Sequence, residues 1–140
     1  MNKHKYVILF LKKNIKETPV EWRTRVLDKK STSFCGAKWY NATIWLGNGT
    51  TTSCHHPPAH KIPLDELKFS YKALHNTTYK KAVRKQMMEG VRPKECEYCW
   101  KIEDLGKDKV SDRVYKSVIY TDEELKDAKE VMGYTEDVDL

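Results

Sequence analysis

Long apolar runs are missing from this chain of 140 residues. Its best candidate, Tyr6-Val7-Ile8-Leu9-Phe10-Leu11, lies between Lys5 and Lys12 and falls far short of the roughly 20 apolar residues a membrane span requires. It is also short for the core of a signal peptide, and no small-residue cleavage site follows it. A β-strand is the expectation for this segment, and the cytoplasm for the protein. Also missing are a nucleophile paired with a base, a phosphate-binding loop and a constellation of carboxylates, so nothing in the chain marks it as an enzyme acting alone. Acidic residues are scarce in the body. Residues 1–121 hold 12 Asp and Glu against 24 Lys and Arg, a net +12, whereas residues 122–140 hold eight against two, a net −6.

Cysteine is the informative residue. There are four, Cys35, Cys54, Cys96 and Cys99, in the pattern C-x13-G-x4-C-x41-C-x2-C with Gly49 as the glycine. Without an export signal they read as metal ligands in a reducing compartment rather than as two disulfides. Four thiolates saturate a tetrahedral zinc or an iron-sulfur cubane. Cys96-Glu97-Tyr98-Cys99 supplies two sulfurs from a single turn, whereas Cys35 and Cys54 depend on the fold to meet. Asn48-Gly49 is a strong two-residue hairpin signal, which predicts Gly47 opposite Thr50 and Thr43 opposite Cys54. Cys35 then lies eight residues before the position facing Cys54, roughly 26 Å away if extended at about 3.3 Å per residue. The segment Gly36 to Tyr40 has to curl back beneath the hairpin.

Phe34-Cys35-Gly36-Ala37-Lys38-Trp39, read as F-C-x-x-x-W, followed by Gly49 to Cys54 as G-x4-C and by a distant C-x-x-C, resembles the twitch domain of radical S-adenosylmethionine (SAM) enzymes, a shortened relative of the SPASM domain. The resemblance spans roughly Ser33 to Tyr120. It implies one auxiliary four-iron, four-sulfur cluster (4Fe-4S) with Cys35, Cys54, Cys96 and Cys99 as ligands. SPASM domains carry further cysteines after the C-x-x-C, and none follow Cys99 here. The C-x3-C-x2-C motif that holds the catalytic cluster of radical SAM enzymes is absent as well. The resemblance therefore implies an auxiliary module for a radical SAM core that is either missing or on a separate polypeptide, with that core and its peptide or small-molecule substrate as the partners.

The expected architecture is α+β, a small β-hairpin and several short helices around a four-cysteine metal centre. Its divisions are an N-terminal segment (1–32), the cluster-binding domain (33–120), and a C-terminal helix with an acidic, frayed tail (121–140). Between Lys38 and Leu46, Trp39, Asn41, Thr43 and Trp45 alternate with Tyr40, Ala42, Ile44 and Leu46 as in a strand, leaving Trp39 and Trp45 as exposed aromatics for docking a partner. In Cys54-His55-His56-Pro57-Pro58-Ala59-His60 the prolines block helix and sheet. The three histidines read as a polar loop over the centre rather than as ligands, since four cysteines already fill the coordination shell.

Leu64 to Lys72 predicts a helix with Leu64, Leu67 and Tyr71 on one stripe. A second helix is capped by Asn76 or Thr77 and ended by Gly90 and Pro93, with Tyr79, Ala82, Val83, Gln86 and Met87 inward and Lys80, Lys81, Arg84 and Lys85 outward. Cys96 to Leu105 predicts a third, placing Trp100 against the centre as a water shield. Asp112 and Arg113 read as an ion pair or a Ser111-capped turn. Thr121-Asp122-Glu123-Glu124 is a capping box for a last helix.

Three function classes fit: an iron-sulfur module for electron relay or structural support, a four-cysteine zinc-binding interaction module, and a nucleic-acid binder using the basic body and its aromatics. The resemblance favours the first, and nucleic acid is the least expected partner.

Overall fold

The computed structural model describes residues 17–120 together with Glu123, Leu125, Asp137 and Val138. The expected strand at Tyr6–Leu11 lies outside the described residues, as does nearly all of the last helix. The architecture is α+β, short helices around a small antiparallel sheet.

Helix α1 opens at Pro19–Trp22, passes through a π-helical stretch Arg23–Leu27 and closes at Asp28–Lys30. Its start carries a local signal. Thr18 accepts a hydrogen bond from Glu21 N–H (3.2 Å) and Pro19 occupies the first turn, where its missing N–H costs nothing. Trp22 and Leu27 are buried in the same core as Phe34, Trp39, Met87, Trp100, Val114 and Val118.

Gly36 leads into α2 (Ala37–Tyr40), the curl that the distance between Cys35 and the hairpin demands. The strand expected across Lys38–Leu46 is therefore shortened to β1 (Thr43–Trp45), and Trp39 is fully buried rather than exposed, its ring 4.8 Å from that of Phe34. β1 pairs with β2 (Thr50–Thr52) through Thr43↔Thr52, Ile44↔Thr51 and Trp45↔Thr50. The predicted register is thus off by two. Gly49, with φ +64°, donates its N–H to Trp45 O (2.9 Å), so Leu46 to Gly49 form a four-residue loop instead of a two-residue turn. An even shift keeps every side chain on its expected face, but it moves Cys54 beyond the strand end. β3 (His60–Lys61) then adds to β2, so the prolines delay the sheet without ending it.

α3 (Leu64–Phe69) stops at the extended Ser70, whose hydroxyl accepts from Lys72 N–H (3.2 Å) to start a 3-10 turn, Tyr71–Leu74. That break defeats the expected stripe, and Leu64 and Tyr71 are exposed. α4 (Thr78–Met88) is capped by Thr77 and closed by Gly90 at φ +75°. Val91 N–H bonds Gln86 O (2.9 Å) and Gly90 N–H bonds Met87 O (3.4 Å), a Schellman ending.

The buried stripe of α4 is Lys80, Val83, Arg84 and Met87, so Lys80 and Arg84 point inward and Tyr79, Ala82 and Gln86 outward. The interior supplies acceptors for them. Arg84 donates to Lys38 O (2.7 Å), Asn76 Oδ1 (2.8 Å) and His75 O (3.0 Å), and Lys80 Nζ to Thr51 Oγ1 (2.9 Å). α5 (Glu97–Glu103) and α6 (Asp112–Ser117) complete the described helices. The tail is not wholly frayed. Val138 exchanges two hydrogen bonds of 2.9 Å with the Asn76 side chain, and Asp137 meets Lys81 Nζ at 2.6 Å.

Candidate metal centre

All four cysteines are free, buried and gathered round one cavity of about 20 Å³. Three separate pieces of chain bring them there. Cys35 precedes α2, Cys54 follows β2, Cys96 ends the 3-10 turn Lys94–Cys96, and Cys99 sits in the first turn of α5. Gly36 lets Cys35 approach α6: an added Cβ would come within 3.0 Å of Tyr120 and Leu125, and its N–H donates to Ser117 Oγ (2.9 Å). Asn41 Nδ2 donates to Ser53 O (2.8 Å), fixing the backbone beside Cys54.

Arg113 ties these pieces together. It donates to Phe34 O (2.9 Å), Asp28 Oδ1 (2.8 Å) and Glu103 Oε2 (2.8 Å), joining the residue before Cys35 to the helix of Cys99. Burial opposes its charge, yet the Glu103 and Asp28 carboxylates hold its pKa above the ordinary value. The expected pair of Arg113 with Asp112 is therefore replaced: Arg113 meets these two acids, and Asp112 meets His56 Nε2 at 2.6 Å. Ser111 occupies the N-cap of α6 while spending its hydroxyl on Glu103 Oε2 (2.8 Å). Trp100 lines the cavity, with Nε1 donating to Pro93 O (2.8 Å).

Burial pushes the Cys96 thiol up to about 12 and the Cys99 thiol to about 11, and raises that of Cys35; each is raised further by neighbouring cysteines of the set. Such a cluster of crowded sulfurs is costly to ionise without a cation. Cationic side chains line the same wall: Lys38, Arg113 and Lys116. Lys38 is buried and salt-bridged to Glu95 Oε1 (2.6 Å), whose other oxygen accepts from Tyr79 OH (2.6 Å). Burial works against the Lys38 charge, and Cys96 and Glu95 outweigh it.

The histidines divide. His60 leaves the centre, bonding Thr77 Oγ1 (3.0 Å) and packing on Tyr79. His56 lines the cysteine cavity. Among the described residues, Cys54, His55 and His56 form the one trio of possible metal donors whose ligand atoms all lie within 4.8 Å of one another. Thus four cysteines, and a Cys-His-His group sharing one of them, could hold a metal. Among the described residues no helix is long and apolar enough to cross a membrane. Compared with protein-family models, with curated proteins and with solved structures, the chain finds no match.

Proposed function

We propose that this chain is an auxiliary iron-sulfur module of the twitch type, holding one 4Fe-4S cluster through Cys35, Cys54, Cys96 and Cys99 and serving a separate radical SAM core in electron relay or structural support. The observation that carries this reading is the convergence of all four cysteines, free and buried, on one cavity from three separate segments. Such a cluster supplies a one-electron couple whose potential answers to burial and nearby charge. The chain's own residues fit that task. Four thiolates round a cluster leave net negative charge, and Lys38, Arg113 and Lys116 line its wall as cations, the first two also paired with carboxylates, beside the Trp100 ring. A complete cysteine shell leaves no iron open to substrate, which favours relay or support over direct substrate binding.

One observation favours the second reading, a zinc interaction module with the same four cysteines: the cavity of about 20 Å³ has room for a single ion. The helix face expected to serve a nucleic-acid role loses two of its four cations, since Lys80 and Arg84 are buried while Lys81 and Lys85 are not. Trp45, 42% exposed, stays available for docking the core polypeptide, and Trp39 does not. Anaerobic reconstitution with iron and sulfide tests the reading. It should give a brown protein with about four irons and four sulfides per chain. Stoichiometric zinc without sulfide, in protein made anaerobically with iron supplied, would select the second reading.

A further inference from the structure

We infer that Cys54, His55 and His56 constitute a second metal site, taking one divalent ion of the zinc class in competition with the main centre for Cys54. Proximity is the first support: the three ligand atoms lie within 4.8 Å of one another. The hydrogen bonds of the two rings are the second, because together they decide which nitrogens carry lone pairs. His56 Nε2 lies 2.6 Å from Asp112 Oδ2. A carboxylate accepts, so Nε2 keeps the ring proton and Nδ1 presents a lone pair. This is the carboxylate-histidine pairing that orients metal-binding imidazoles. His55 Nδ1 lies 3.0 Å from Lys116 Nζ. An ammonium has only donors to offer, so Nδ1 accepts and again holds the lone pair. Each ring thus keeps a lone pair on Nδ1 and offers a ligand nitrogen within 4.8 Å of the Cys54 sulfur, and on His55 the Lys116 ammonium occupies a lone pair that a metal cation would take.

The rings are held in place. His55 and His56 pack at 3.9 Å, and His56 stacks on Tyr98 at 3.8 Å with 14° between planes. Tyr98 lies in the first turn of α5, between Cys96 and Cys99, so the surface site rests on the main one. His55 is exposed while His56 lines the cysteine cavity, which places the trio as the cavity's outer wall with one side open to solvent. One thiolate and two imidazoles suit Zn²⁺ or Co²⁺, leaving a fourth position for water. Binding is a ligand exchange without redox change: the Cys54 S–H proton passes to solvent, a sulfur-metal bond forms, and the Lys116 ammonium swings off His55. The site stands without the cluster; only the competition rests on it.

The test titrates the full-length, iron-free, reduced chain anaerobically with Co²⁺, whose thiolate charge-transfer band reports sulfur ligation, and then displaces it with Zn²⁺. One Co²⁺ per chain with that band is expected. His55→Ala, a substitution at an exposed position that spares the core, should weaken binding at least about tenfold, and Asp112→Asn about tenfold, the usual effect of losing the group that orients a metal-bound histidine. Cys96→Ser should leave it intact. Absence of the band overturns the site, as does Co²⁺ binding that ignores His55→Ala and disappears with Cys96→Ser. With cluster-loaded protein, excess Zn²⁺ should speed iron loss in the wild type and much less in His55→Ala. A chain that accepts no iron and sulfide but binds Co²⁺ through His55 overturns the cluster and keeps this site. A chain that accepts the cluster and binds Co²⁺ regardless of His55 does the reverse.

Discussion

Replacing Arg84 by Met should be among the most damaging single changes outside the cysteines. Arg84 is fully buried, and burial lowers its pKa to about 10, so it is still charged at neutral pH. Its guanidinium is the hydrogen-bond partner of two buried carbonyls, Lys38 O and His75 O, and it shares Asn76 Oδ1 with Val138 N–H. Methionine fills much of the volume but donates nothing. Each of the two orphaned carbonyls costs about 1–3 kcal/mol, and the better burial of a thioether returns about 1–2 kcal/mol, leaving at the middle of these ranges a net loss of about 2–3 kcal/mol. For a chain of this size that is a fall in Tm of roughly 8–12 °C. The damage should reach the metal centre, because Lys38 O anchors α2, which carries Lys38 into the cavity wall. Thermal melts followed by circular dichroism, with iron analysis of each preparation, make the measurement. Lys81→Met is the control: its pair with Asp137 is partly exposed and should cost under about 1 kcal/mol. Arg84→Lys should fall between, since one ammonium cannot reproduce the fork. A loss below about 0.5 kcal/mol in Arg84→Met, the level of an ordinary surface change, would show that the buried stripe of α4 has been misassigned.

Cys99→Ala should lose the visible absorption and also melt lower, because ligation of distant segments supplies folding free energy; an unchanged Tm would mean that the metal is not structural. Lys80 gives a pH signature. Burial, helped by Arg84, lowers its pKa to about 8 from 10.5, so between those values the unfolded chain binds more protons and stability should climb with pH. Urea midpoints at pH 7 and pH 9.5 should show that climb in the wild type and a flatter one in Lys80→Met. His75, held down to about 4 chiefly by burial, acts at the other end: the folded chain resists the proton that the unfolded chain takes up, so stability should drain away as pH falls from about 6.5 to 4, and His75→Gln should lessen that loss. The reduced, cluster-loaded chain by itself should form no 5′-deoxyadenosine from S-adenosylmethionine above a cluster-free control, since four cysteine ligands leave no iron for the cosubstrate to chelate. Multiple turnovers would mean that one of the four is not a ligand.

The sequence by itself determined the features that are local. Thr77 and Gly90 bound α4 because a cap oxygen and a positive φ are read within one turn. Cys96 and Cys99 lie at a turn entering a helix, with Trp100 beside them, because two intervening residues leave few other options. The curl after Cys35 followed from chain length alone. Where the sequence misled, an apolar count had stood in for hydrogen-bond satisfaction. Positions 80, 83, 84 and 87 make a regular helical stripe, yet two are cationic, and hydrophobicity rotated the buried face by one residue toward Tyr79 and Ala82. Only the tertiary structure could show that three carbonyl or amide oxygens and a threonine hydroxyl wait inside for Arg84 and Lys80. Asn48-Gly49 located the hairpin but not its loop length, which Gly49 N–H settles by reaching back to Trp45 O. Partnership across long sequence separations was likewise beyond one-dimensional reading: Arg113 with Phe34, Asp28 and Glu103, His56 with Asp112, and His55 with Lys116. A side chain's chemistry is written in its own residue, whereas its protonation, burial and ligands are set by whatever the fold brings within about 3 Å of it.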